Sequence, residues 1–134
     1  TCLDYLAESF MAGDPLNGGG FIVVNGIGLG DDGRIRELET PYPGGNLFSL
    51  ASGGAIYVRD PSRKVGLDQL NGGQLTSVES ADWNLVLPYL QENQKLFGVK
   101  VEDLLRVEGQ VAKPSKVYRK VEAIRLKALA TLSE

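Results

Sequence analysis

The segment Gly19-Gly20-Phe21-Ile22-Val23-Val24-Asn25-Gly26 recurs, 34 residues later, as Gly53-Gly54-Ala55-Ile56-Tyr57-Val58-Arg59-Asp60. In both copies a glycine pair precedes a short run rich in β-branched residues. Gly72-Gly73-Gln74-Leu75-Thr76-Ser77-Val78-Glu79 is a weaker third copy, a further 19 residues on. Upstream of the pairs stand Phe10-Met11-Ala12, Phe48-Ser49-Leu50-Ala51 and Val65-Gly66-Leu67 with Leu70. A coil of about 17 to 19 residues accounts for both offsets if the first interval holds an extra coil or a long loop. Such coils stack because a short strand with one apolar face cannot bury it alone, and glycine permits the sharp corners. Strand alternation then points Ile22, Val24, Ile56 and Val58 inward as a stacked core, with Gly19, Gly20, Gly53 and Gly54 as coil corners. Phe21, Val23 and Tyr57 point outward and need a partner surface or a covering segment. Glycine pairs also mark hairpins, so periodicity alone leaves antiparallel hairpins and stacked parallel coils both open.

Glycine distribution divides the chain. Residues 1–79 hold 15 of the 17 glycines and read as strands and turns; residues 80–134 hold only Gly98 and Gly109 and read as a helical cap and tail of the same folded unit. Ser80 is the expected N-cap of a helix that stops at Gly98. Pro88 inside that segment either starts the helix or kinks a longer one. Val101–Arg106 is a short helix candidate, and apolar positions 117, 121, 124, 126 and 129 predict an amphipathic helix or partner-binding extension in the tail.

The composition removes several chemistries. The 134 residues contain no His, so Ser-His-Asp and Cys-His nucleophilic systems and His-ligated metal sites are excluded within this sequence. The single cysteine, Cys2, excludes an internal disulfide, a CxxC pair and a self-contained iron–sulfur site. Without a free α-amine or a histidine base beside it, Cys2 reads as a structural cysteine rather than a nucleophile. A net charge of −3 and a pI near 5.0 argue against nucleic-acid and membrane-surface roles. One free cysteine and no recognisable signal peptide suit a cytoplasmic setting. The sequence opens on Thr1 rather than Met, which suggests further chain upstream.

Gly28-Leu29-Gly30-Asp31-Asp32-Gly33 matches G-x-G-x-x-G after a strand-like run, but two aspartates occupy the place of a pyrophosphate, and Pro41 arrives too soon for the required helix. A turn is the better reading. The carboxylates Asp4, Glu8, Asp14, Asp31, Asp32, Glu37, Glu39, Asp60 and Asp68 have no spacing that brings a pair together, and Asp31-Asp32 is the most plausible cation site among them. Arg59-Asp60-Pro61-Ser62-Arg63-Lys64 is a charged loop after a strand, with a weak claim to contact an anion.

The segments Asp4–Ala12 with Gly19–Gly26, and Leu50–Arg59, resemble the GXGXG domain of the glutamate synthase large subunit, especially its short archaeal-type version. The likeness runs over about residues 3 to 120 and takes in Val101-Glu102-Asp103-Leu104-Leu105 and the closing Pro114…Tyr118-Arg119-Lys120. The insert Gly13–Gly18 and the Thr76-Ser77 pair depart from the family pattern. The resemblance implies a mainly β, right-handed parallel β-helix followed by C-terminal α-helices. It also implies a non-catalytic docking role in glutamate biosynthesis, beside an FMN-binding synthase domain that carries an iron–sulfur cluster and a glutamine amidotransferase domain or subunit. No catalytic, cofactor or metal residue of that family falls on this sequence. The same coil occurs in the C subunit of formylmethanofuran dehydrogenase, so a scaffold of that kind is the alternative; a cation- or small-ligand-binding module using Asp31-Asp32 is another. Self-association is left open.

Overall fold

A computed structural model describes residues 5–6, 13–47, 53–70 and 73–123. In chain order the strands are β1 (Tyr5–Leu6), β2 (Phe21–Val24), β3 (Ile27–Leu29), β4 (Ile35–Glu37), β5 (Asn46–Leu47), β6 (Ala55–Arg59), β7 (Gly73–Ser77), β8 (Arg106–Val107), β9 (Gln110–Val111) and β10 (Tyr118–Ala123). The helices are α1 (Ser80–Phe97), α2 (Val101–Leu104) and α3 (Pro114–Val117).

The two clear repeats lie side by side. β2 and β6 pair in parallel with Phe21 opposite Ala55, Ile22 opposite Ile56, Val23 opposite Tyr57 and Val24 opposite Val58. β1 and β5 form a second, shorter parallel pair, and Leu47 bridges to Leu70.

The expected right-handed parallel β-helix is not the fold. The described residues form a small mixed α/β domain in which the largest sheet has the order β2-β6-β10-β7, and none of the sheets among them is closed or solenoidal. The reason lies in β10. It runs antiparallel to both β6 and β7, with Lys120 opposite Tyr57 on one side and Thr76 on the other. It therefore takes the edge of β6 on which a third coil would have stacked. The weak third repeat becomes an edge strand instead, consistent with its two hydroxyl residues, Thr76 and Ser77.

β10 also corrects the expected tail helix. Tyr118–Ala123 is extended, and the remaining predicted positions, 124–129, lie outside the described residues. Alternation along β10 serves both faces of the sheet. Tyr118 joins the cluster of Ala55, Tyr57, Val86, Leu90, Leu104 and Val117, whereas Val121 joins that of Tyr42, Leu47, Ile56, Val58 and Val65. All five residues of β6 are buried, as a strand sandwiched between two cores requires.

The covering segment over Phe21, Val23 and Tyr57 is α1. The Phe21 ring stands edge-on to Tyr57 at 5.8 Å and to Tyr89 of α1 at 5.3 Å. Val86 and Leu90 are buried beneath it, each worth about 1.5–3 kcal/mol. α1 is continuous through Pro88, on its exposed side. Its N-cap is Glu79 rather than Ser80: the Glu79 N–H donates to Asp82 Oδ2 at 3.0 Å, and Trp83 N–H returns to Glu79 O. Gly98, at φ +74°, ends the helix by donating to Gln94 O.

The repeat glycines divide their work. Gly54 is buried at φ +83°, and Gly53 lies so close to Gly13 that a Cβ there would sit 2.8 Å from the Gly13 nitrogen. In the first copy the left-handed turns fall at Gly13 and Gly18, ahead of Gly19 and Gly20. A Cβ on Gly30 would meet only the ends of the Arg36 and Asp32 side chains, which can swing away. Gly54→Val is therefore expected to lower stability more than Gly30→Val, by at least about 1 kcal/mol in urea denaturation, because a β-branched residue at positive φ is strained.

Candidate functional site

Three polar arrangements stand out. The first is buried between the sheet and the start of α1. Tyr57 Oη donates to Asp82 Oδ1 at 2.7 Å, and Lys120 Nζ donates to the same oxygen at 2.9 Å. Lys120 also lies 3.6 Å from Glu122 and stands over the Tyr57 ring. Burial works to raise the Asp82 carboxyl, but the bonds from Lys120, Tyr57 and the Glu79 N–H outweigh it and hold the group below the usual carboxylate value. Burial, reinforced by the Asp82 charge, pushes the Tyr57 phenol well above its ordinary value, so it stays a proton donor. The arrangement is a saturated structural lock: each charge meets its partner, and Asp82 and Lys120 are nearly inaccessible.

The second arrangement sits at the end of β6. Arg59, with 3% of its side chain exposed, donates through Nε to Leu104 O at 2.7 Å, through Nη2 to Arg106 O at 3.3 Å, and through Nη1 to Glu37 at 3.1 Å. It ties the sheet to α2, to the β8–β9 hairpin and to the end of β4. Next to it, the buried Asp60 carboxylate accepts from the Lys64 and Val65 N–H groups and from Arg119 at 3.1 Å. The charged loop 59–64 is thus anchored inward at its first two residues. Tyr118, whose phenol burial pushes upward, donates to Asn25 Oδ1 at 2.7 Å.

The third is an open cleft of about 600 Å3 beside Arg59. Its walls come from the β3–β4 turn, from the segment between α1 and α2, and from the β8–β9 hairpin, with Gly33, Gly98 and Gly109 at the rim. Arg34, Lys100 and Arg106 line it with Arg59, against Glu37 and Asp103.

The sequence-predicted site residues distribute as follows. Gly28–Gly33 forms the end of β3 and the turn into the antiparallel β4, with no helix following, so no dinucleotide fingerprint is built there. In its turn Asp32 accepts the Arg34 N–H at 3.0 Å, and among the described residues no group of three potential ligands gathers around a metal position. Asp14 caps a 3-10 turn through the Leu16 N–H, and Asp68 lies in the first turn of another. Glu37 pairs with Arg59, while Glu39 contributes its carbonyl to Lys64. Cys2, Asp4 and Glu8 lie outside the described residues.

Neither a family model, nor a curated protein, nor a solved structure matches the chain. Sequence reasoning missed Lys120, Asp82 and the cleft, since each depends on segments far apart in the chain. Nothing in the spacing of Arg34, Arg59, Lys100 and Arg106 places those residues together.

Proposed function

We propose that this chain is a non-catalytic docking domain of a glutamate-synthase-type complex, acting in the cytoplasm beside an FMN- and iron–sulfur-bearing synthase domain and a glutamine amidotransferase. The observation that carries the reading is the in-register parallel pairing of Phe21–Val24 with Ala55–Val58, the strands of the repeat on which the family resemblance rests. Two further features support it. The buried ionisable side chains Arg59, Asp60, Asp82 and Lys120 are engaged in holding elements together. On α1, Tyr89 and Leu96, seven residues apart and so on one face, are 61% and 66% exposed, with Phe97 at 70%. Apolar side chains left in water along one face are what a docking helix presents. No helix among the described residues is long and apolar enough to cross a membrane.

The test is affinity capture of the full-length protein from its native cytosol, with mass spectrometry of what co-purifies. Recovery of an FMN-bearing synthase or an amidotransferase is expected, and Tyr89→Ser with Leu96→Ser should reduce that recovery. A molybdenum or tungsten oxidoreductase in their place would shift the assignment to the formylmethanofuran-dehydrogenase type. Recovery of the chain alone would sink the docking role.

A further inference from the structure

Beyond the docking role and independent of it, we infer that the cleft beside Arg59 binds a small polyanion, a phosphate ester or a polycarboxylate with at least two negative charges. The chain as a whole carries a net charge of −3, yet the cleft is lined by the four cations Arg34, Arg59, Lys100 and Arg106 against the two carboxylates Glu37 and Asp103. An acidic protein that gathers cations from four separate segments around one concavity builds a local positive potential. Glu37 pairs with Arg59, and Glu102 and Asp103 pair with Arg106, which leaves Lys100 and the weakly paired Arg34 as the cations a bound anion would meet.

The cations are also unequal in a useful way. Arg59 is fixed at the wall: three of its five N–H groups are held by Leu104 O, Arg106 O and Glu37, so its guanidinium plane is set before any ligand arrives. With those donors engaged and 3% of its side chain exposed, Arg59 acts on a ligand through its fixed charge at the wall, and the exposed cations supply the hydrogen bonds. Lys100 makes no ion pair among the described residues, and Arg34 reaches Asp32 only at 3.9 Å with its side chain 87% exposed. These two are free to turn onto a ligand. A volume of about 600 Å3 lies within the range of small-molecule clefts and exceeds that needed for a single inorganic ion.

The experiment is isothermal titration of the full chain at low ionic strength with pyrophosphate and, separately, citrate. One-site binding of at least one probe is expected, weakening as sodium chloride is added. The probe that binds identifies the class, phosphate or carboxylate. In the double variant Arg34→Gln, Lys100→Gln the affinity should fall at least about tenfold, since each charged hydrogen bond is worth about that factor. Both side chains are exposed, so thermal melting of the variant should match the parent; should the variant fail to fold, amide chemical shifts of the parent decide. Probe-induced shifts at Gly33, Gly98 and Gly109 support the site. No saturable heat with either probe, undiminished affinity in a folded double variant, or shifts confined elsewhere would overturn it.

Discussion

Asp82→Ala is expected to destabilise the domain by about 3–5 kcal/mol in urea denaturation, the largest effect of any single substitution considered. The change leaves the Lys120 ammonium and the Tyr57 hydroxyl buried without the oxygen both of them share, and it removes the acceptor of the Glu79 N–H. An uncompensated buried charge, rather than the lost attraction itself, makes such a deletion costly. Lys120→Met should be milder, because the apolar chain fills the same space and the Asp82 carboxylate keeps Tyr57 and the Glu79 N–H as donors. The same network sets the pH dependence. The folded state holds Asp82 below its ordinary value, so its contribution is fully present above about pH 4, the unfolded carboxylate value, and is lost as pH falls through the folded one. The parent protein should lose stability below about pH 4, and the Asp82→Ala variant should lack that component. At the other end, Tyr57 and Tyr118 hold their protons more tightly folded than unfolded, so stability should decline as pH rises above about 10.

The second large effect is expected at Gly26. Its φ is +59°, and a Cβ there would come 2.6 Å from the Pro41 Cα, with the Pro41 Cβ and carbonyl oxygen close by. Gly26→Ala must bear both the left-handed backbone, about 1–2 kcal/mol, and displacement of the Pro41 backbone, about 1–3 kcal/mol. A loss of about 2–5 kcal/mol follows. Gly33→Ala is the internal control. Gly33 has φ +76° with open space where the Cβ would go, so only the backbone part applies. Equal losses at the two positions would show that Pro41 yields without cost.

Much of the local structure is legible in the sequence, and the parts that are not share a cause. The repeat at Gly19 and Gly53 gives the β2–β6 register, because alternating β-branched residues have one face to bury and a one-residue slip would turn Ile22 and Val24 away from Ile56 and Val58. Gly98 marks the end of α1 because only glycine readily takes the left-handed residue after a helix. β10 is hidden. A strand buried on both faces ordinarily reads as a continuous apolar run, but Tyr118-Arg119-Lys120-Val121-Glu122 carries three charges. Arg119 and Lys120 are neutralised by Asp60 and Asp82, 59 and 38 residues away, a pairing that local periodicity cannot express. With that strand hidden, periodicity leaves hairpins and stacked coils both open, and the family resemblance alone tips the reading to a solenoid.

The cleft is hidden for a related reason. Arg34, Arg59, Lys100 and Arg106 are scattered over 73 positions; apart from the weak anion-contact claim of the loop that starts at Arg59, nothing in the sequence groups them. Arg59 draws the β8–β9 segment against the end of β6 and places their charges together. The exposed apolar face of α1 is half legible: Leu96 and Phe97 fit the apolar pattern of a core helix, yet they lie in the last turn, where they are left exposed.

The position of β10 between β6 and β7 separates this fold from a solenoid, and backbone proton NOEs on isotope-labelled protein measure it directly. Cross-peaks from Lys120 to both Tyr57 and Thr76 are predicted, with the antiparallel pattern on each side. Cross-peaks joining Tyr57 directly to residues of β7 in a parallel pattern, with Lys120 close to neither, would contradict it and restore the stacked third coil.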